Sequence, residues 1–414
     1  MNRVSSNMAS MDAQYNMMLR EWKMNQMQNK MGAQTRIKDL RDDPLAAARS
    51  TRLQSQLFRM GRYKKNIELT QGNLNYSESR LTNALEVLQR VRELSVQGAN
   101  GVYSKDQMRD MAVEVNQLLE QLVSLANSRN GMGNTVFSGF ESHLEPFLVM
   151  RGRVEGSASD FITALHYRGD IGKNMAEVSE NTYVQMNIPG NQAFWAENSH
   201  VYANVDATTY QVQADSTIRI DGVAIDLEAG DNISAIIHKI NEAPLAVRAR
   251  LDPVKDSLVL ETTTPHGLWM EDVGTGTVLQ DLGILQRGRS TPPYNIADTA
   301  NVFGGSIFDM VMAVRDSLYK GDSEGVNKAL GGMDLSIESV TSSLAKIGSL
   351  DSRLRVTAKR LDYEEPEVVK LNAEDVDLDV TQAITELKML EYTHQAALAT
   401  SARVLRPTLL DFLR

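Results

Sequence analysis

At 414 residues the chain is long enough for two or three domains, each with its own core. Its 53 acidic against 43 basic side chains give a net charge of -10, which argues against nucleic acid or a membrane surface as the main partner. The absence of cysteine excludes disulfides, thiolate metal sites and a cysteine nucleophile, and the 6% aromatic content suits helical seams built from Leu, Ile, Val, Ala and Met.

No apolar run approaches the roughly 20 residues that cross a bilayer, and the first 30 residues lack the apolar core and small-residue cleavage site of a secretory signal. The expectation is a chain without a membrane anchor. If it works outside the cytosol, its stability comes from packing and assembly.

Residues 1–31 hold eight of the 20 methionines, and Met8, Met11, Tyr15, Met18 and Trp22 keep a three-four spacing. That spacing predicts an amphipathic helix whose thioether-rich stripe accommodates more than one neighbour. Asp43 before Pro44 is a helix start, because the carboxylate can accept a free backbone N–H and Pro at the first position sacrifices no hydrogen bond. The helix predicted there runs through Leu53, Leu57 and Met60. A further helical pattern at Leu74, Leu81, Leu85, Leu88 and Val91 closes at the glycines around Gly98 and Gly101. Met108, Met111, Val115, Leu118, Leu122 and Leu125 then repeat the three-four spacing without a miss and return the chain as a hairpin.

From Asn130 to Phe140 the period changes to glycine, aromatic and β-branched residues, so a domain boundary is expected there. Thr182–Ile188 is the clearest strand of the next stretch. Ile218–Ile225 reads as a hairpin about Asp221-Gly222, Asp231 caps a helix carrying Ile233, Ile236, Ile237 and Ile240, and strands follow around Val247 and Leu258–Leu260. This order predicts a small α+β module. Arg287–Pro293 reads as a linker, and Ile307, Met310, Val311, Val314 and Leu318 mark a helix after it.

Leu330, Met333, Ile337, Val340, Leu344, Ile347, Leu354, Ala358 and Leu361 then form one narrow stripe, interrupted by Asp351 alone. Such a stripe, on a helix of roughly 48 Å, belongs to a coiled coil and needs a partner. The partner expected is Met108–Leu125, about 200 residues away in the chain. A break is expected at Glu364-Glu365-Pro366, followed by a last helix with Val380, Ala383, Ile384, Leu387 and Leu390, and beyond them Leu398 and Leu405.

The fold class read from this pattern is a multidomain α + β protein. Its two ends form a long antiparallel α-helical rod or coiled coil, and a β-rich insertion lies between them. The segments expected are 1–40 and 375–414 as terminal helices, 41–130 and 287–374 as the halves of the rod, 131–216 as a β-rich outer domain, and 217–286 as the module.

Chemistry finds little support. His143, His166, His200, His238, His266 and His394 are scattered without a His-Glu-x-x-His pair, and no Gly-Lys-Ser/Thr phosphate loop occurs. Asp375, Asp377 and Asp379 alternate as in a calcium loop but lack its glycine and its final glutamate, so a solvated or capping role is expected. No catalytic, metal or cofactor residue is nominated, and the chain is not expected to be an enzyme.

Asp42-Asp43-Pro44 with its Ala-rich helix, Arg90–Gln97 running into Ala99-Asn100-Gly101, and Leu409–Arg414 resemble the terminal regions of bacterial flagellins. Leu125–Asn127, Val136–Phe140, Pro146-Phe147, Tyr167–Asp170 and Met186–Gly190 are closer to the hook-associated branch at the hook–filament junction. Ile218–Leu285 resembles a small insertion shared by several of these proteins. The resemblance implies a structural, secreted flagellar protein, extracellular or periplasmic according to where the flagellum lies. Such a protein is exported unfolded through the flagellar type III apparatus and assembles through its terminal helices. The partners implied are neighbouring copies, a hook-side junction protein, flagellin, and an export chaperone on residues 376–414. The assembly residues expected are Met8, Met11, Tyr15, Met18, Trp22, Ile384, Leu387, Leu390, Leu398 and Leu405. The alternative is a flagellin subunit of the filament, and a secreted enzyme acting within residues 140–290 is the reading from a third class.

Overall fold

The computed structural model describes residues 6–39, 41–153 and 160–404. Helix α1 (Ser6–Ala33) is followed by α2 (Pro44–Ala99) and α3 (Lys105–Ala126). Asp43 accepts the Ala46 N–H at 3.0 Å, which satisfies one of the free donors at the start of α2. Two separate apolar runs in the sequence thus become one helix of 56 residues. Ser104 and Gln107 close a reciprocal capping box at the start of α3.

The middle of the chain is built from short antiparallel strands. β1 (Phe147–Arg153) pairs with β2 (Asp160–Tyr167), and β3 (Met175–Ser179) pairs with β4 (Thr182–Gln185). After the one-turn helix α4 (Gly190–Ala193) come β5 (His200–Tyr202), β6 (Ser216–Ile220), β7 (Val223–Leu227) and α5 (Ile233–Glu242). β8 (Val247–Leu251), β9 (Leu258–Thr262), β10 (Met270–Val273), the short α6 (Val278–Asp281) and β11 (Asn301–Phe303) complete this part.

The module is formed by two sheets, ordered β10-β6-β7 and β11-β5-β9-β8. They enclose Ile218, Ile225, Ile236, Ile240 and Leu260 in one apolar core. Its two hairpins therefore sit in different sheets. Because β5 and β11 complete one of those sheets, the core reaches from Val201 to Ala300, beyond the 217–286 span of the alternating pattern.

Helix α7 (Ile307–Lys320) opens on a Ser306–Asp309 capping box, and α8 (Ser323–Val376) and α9 (Val380–Val404) follow. The chain divides into two compact units, one of Lys65–Thr357 and one made of the residues up to Lys64 and from Ala358.

Within the larger unit, Ile67, Leu74, Leu81 and Leu88 of α2 are buried at every seventh position, and so are Thr70, Ser77, Ala84 and Val91. Helix α8 answers with Val326, Met333, Val340, Ile347 and Leu354, again seven apart. A strict seven-residue repeat keeps its stripe facing one neighbour only if the helices supercoil. The direction is antiparallel: Gln71 donates to Asp351 at 3.0 Å, and Arg92 lies 2.6 Å from Asp334.

The expected partner of 330–361 is thus corrected. Its seam faces α2, while α3 packs antiparallel along α7, where Arg315 reaches Asn116. Length decides this. The 22 residues of α3 extend about 33 Å, shorter than the roughly 48 Å of the 330–361 stripe. Gly98 of α2 lets the bundle close, because a Cβ there would collide with Leu318 of α7 and touch Val326 of α8.

Met108, Val115, Leu122, Leu125, Met333, Val340, Ile347, Leu354 and Leu361 are buried, whereas Met111, Leu118, Leu330, Ile337 and Leu344 are half-buried. In α3 the buried ladder is instead Met108, Ala112, Val115, Leu119, Leu122 and Ala126. Both ladders share Met108, Val115 and Leu122. The three-four spacing alone does not say on which side of those positions the partner lies.

In the smaller unit α2 and α8 again pair antiparallel, through Ser50 and Asn372 at 2.8 Å and through Lys64, which reaches Asp362 at 2.6 Å and also Glu365. Met60, Leu361 and Val368 are buried there. The break expected at Pro366 does not occur, and α8 runs through it. Leu361 and Val368 carry the seam to either side, and that packing offsets the cost of roughly 3 kcal/mol for an interior proline.

Candidate assembly interface

Helix α1 lies antiparallel to α9. Arg20 donates to the Thr393 carbonyl at 2.6 Å, Thr35 bridges Asp377, and the Arg36 amide donates to the Val376 carbonyl at 2.8 Å. Asp379 caps α9 by accepting the Thr381 and Gln382 amides at 2.9 and 3.1 Å, and Asp375 lies 3.5 Å from Arg49. The acidic run therefore has capping and pairing partners.

Two stripes run along α1. Met17, Arg20, Met24, Met27 and Met31 alternate by three and four and are half-buried, as are Leu387, Leu390, His394 and Ala397 of α9, where Ala383 is fully buried. Met11, Tyr15, Met18 and Trp22 form the other stripe and stand 71%, 67%, 72% and 58% exposed. Ile384 and Leu398 of α9 are also exposed. Sequence reasoning found the outer stripe and missed the inner one, although its heptad spacing is equally regular. The side chain of Met8, and Leu405 entirely, lie outside the described residues.

The short segments that carry the family resemblance meet in one place of the larger unit. Phe137, Phe147, Phe194 and Phe308 are buried against one another, with ring centroids 5.0 Å apart for Phe137 and Phe194 and 4.9 Å for Phe147 and Phe308. The Gly190 amide donates to the Phe137 carbonyl at 2.7 Å, and a Cβ at Gly190 would press on that carbonyl and on Phe147. Asp170 accepts the Phe140 and Gly172 amides at 2.8 and 2.6 Å. Burial pushes the Tyr167 phenol well above its ordinary value.

Arg315, 1% exposed, ties this region to the helices. It donates to the Ile162 carbonyl at 2.7 Å and to Asn116 at 3.3 Å, and its guanidinium lies 5.2 Å from the Phe161 ring centre.

Ser, Thr and Asp side chains gather around His266, where the Thr264 hydroxyl lies 3.2 Å from Nδ1. Asp221 holds Nε2 of His266 at 2.8 Å, Nδ1 lies 2.8 Å from the Thr264 carbonyl, and the Ser199 hydroxyl donates to the His266 backbone carbonyl. Among the described residues no group of three His, Asp or Glu side chains is placed to hold a metal ion, and no helix is long and apolar enough to cross a membrane.

Residues 4–142 match the bacterial flagellin N-terminal helical region, and residues 209–264 match the flagellin hook IN motif. The chain is 27% identical over 128 residues to flagellar hook-associated protein 3 of Escherichia coli strain K12, covering 31% of this chain and 40% of that one. It is 29% identical over 136 residues to the flagellar filament 30.7 kDa core protein of Treponema maltophilum, covering 33% and 48%. The chain therefore spans less than half the length of these two curated relatives. Among solved structures, a putative flagellar hook-associated protein from Vibrio parahaemolyticus is similar with 14% identity and a TM-score of 0.47, covering 81% of this chain and all of that one.

Proposed function

The flagellin N-terminal helical region and the hook IN motif make this a flagellin-like chain, and from that premise we propose that it is a structural component of the bacterial flagellum joining hook to filament. In this reading it is secreted, carries no catalytic function, and forms a junction ring or short zone. The observation that carries it is the double character of α1. One stripe is covered by α9, and the other, Met11, Tyr15, Met18 and Trp22, stands exposed along the same helix.

Apolar surface left in water by one copy is buried when a neighbour covers it, at about 25 cal/mol per Å². Met11, Tyr15, Met18, Trp22, Ile384 and Leu398 are the docking residues toward neighbouring copies, a hook-side junction protein and flagellin. Leu387 and Leu390 hold α9 against α1. An export chaperone shields the end of the chain before assembly.

Deletion of the gene leaves complete hooks without retained filaments, and the wild-type gene restores them. Normal filaments in the deletion strain refute the proposal.

A filament subunit is the second reading. It is favoured by the alignment to flagellin FlaB2 of Treponema pallidum, 24% identical over 259 residues, which covers 84% of that protein and 57% of this chain. Purified protein that polymerises alone into long filaments selects this second reading.

A further inference from the structure

The larger unit contains a cleft of about 650 Å³, within the size range of small-molecule sites, that plays no part in the helix pairing. Its walls include Tyr167, Trp195, Trp269 and Tyr294. Two of its buried polar atoms have no protein partner: the Trp195 indole Nε1, a donor, and Oδ1 of Asn191, an acceptor. Asn191 is 3% exposed, and its amide nitrogen is already committed to the Gly267 carbonyl at 3.3 Å. A buried donor and a buried acceptor left unmade are each unfavourable, so a ligand that satisfies both is held by that difference.

We propose that this cleft is a glycan-binding site that takes one pyranose ring and its neighbour. A sugar ring presents apolar C–H faces suited to aromatic walls. Its hydroxyls both donate and accept, which matches one orphan of each kind. A purely apolar ligand would leave both orphans unmade, and a phosphate or carboxylate would find no donor for the Asn191 acceptor. Tyr294, 41% exposed, stands at the mouth, with its ring in edge contact with His166 at 5.4 Å.

The test is glycan titration of the full chain in a Trp22→Phe background, where Trp195 and Trp269 supply the tryptophan emission. The probes are maltotriose, the trimer of N-acetylglucosamine, and a proline-rich peptide of similar size. A saturable change with either glycan at millimolar concentration or below is expected. Trp195→Phe, which keeps an aromatic face of smaller area and deletes the N–H, is expected to weaken binding by about tenfold, read on Trp269. Tyr294→Asn, at a surface position with positive φ that Asn tolerates, is expected to weaken it while leaving the circular dichroism unchanged. The proposal is overturned by no saturable change with either glycan, by equal affinity in the parent and both variants, or by saturation with the peptide in preference to both glycans.

Discussion

The Tyr167 hydroxyl donates to the Phe137 carbonyl at 2.9 Å, joining the end of a strand to a loop thirty positions earlier, and it lies 2.7 Å from the Asp170 carbonyl. One phenol proton is thus shared between backbone carbonyls of two of the segments that give the chain its family resemblance. Tyr167→Phe keeps the ring and removes this donor, leaving the Phe137 carbonyl with the Gly190 amide alone, so it is expected to destabilise the larger unit by about 1–2 kcal/mol. Urea unfolding with an unshifted midpoint would contradict this role.

Arg315 is expected to matter more. Its replacement by Met keeps most of the apolar stem but leaves Ile162 and Asn116 without their donor in a buried setting, at a cost of about 2–4 kcal/mol. A lowered urea midpoint at unchanged slope is the expected signature.

Asp351 and Gln71 form the polar rung of the seam between α2 and α8. Gln71→Leu leaves the buried Asp351 with Arg355 as its remaining partner, and Asp351→Leu takes the acceptor from the half-buried Gln71 amide; each is expected to cost about 1 kcal/mol, and the double change recovers most of that. Additive single effects would show that the two side chains act independently.

The Ala46 amide, and after it the Arg36 guanidinium, hold the Asp43 carboxyl below its ordinary value. A carboxylate with a lowered folded pKa contributes stability above its unfolded value of about 3.9, lost as pH falls through the folded one. The advantage of the parent over Asp43→Asn in thermal unfolding is therefore expected at neutral pH and to vanish in acid. A difference that stays constant from pH 7 to pH 2 would contradict the assignment.

Much of this was legible in the sequence because it is local. Asp43-Pro44 begins a helix by its own chemistry, and the heptads of α8 announce a coiled-coil seam. Partner choice was not legible, since Met108–Leu125 and the α2 ladder present equivalent spacing and only length separates them. Pro366 signals a break that tertiary packing overrides. The strands of the module could be read, but not their division between two sheets, because pairing across distant strands leaves no mark on local alternation. On α1 the outer stripe stood out through Tyr15 and Trp22, whereas the inner one, with Arg20 in its middle, looked less apolar than it packs.

The chain contains no cysteine, so Tyr15→Cys places one thiol on the outer stripe of α1. Its rate of alkylation is the most direct measurement, taken in the free protein and again after addition to hooks that lack it. The account predicts fast labelling in the free protein and protection of at least about tenfold after incorporation, as burial removes solvent access. Equal rates in the two states, with incorporation verified, would contradict the claim that this stripe is the surface its neighbours cover.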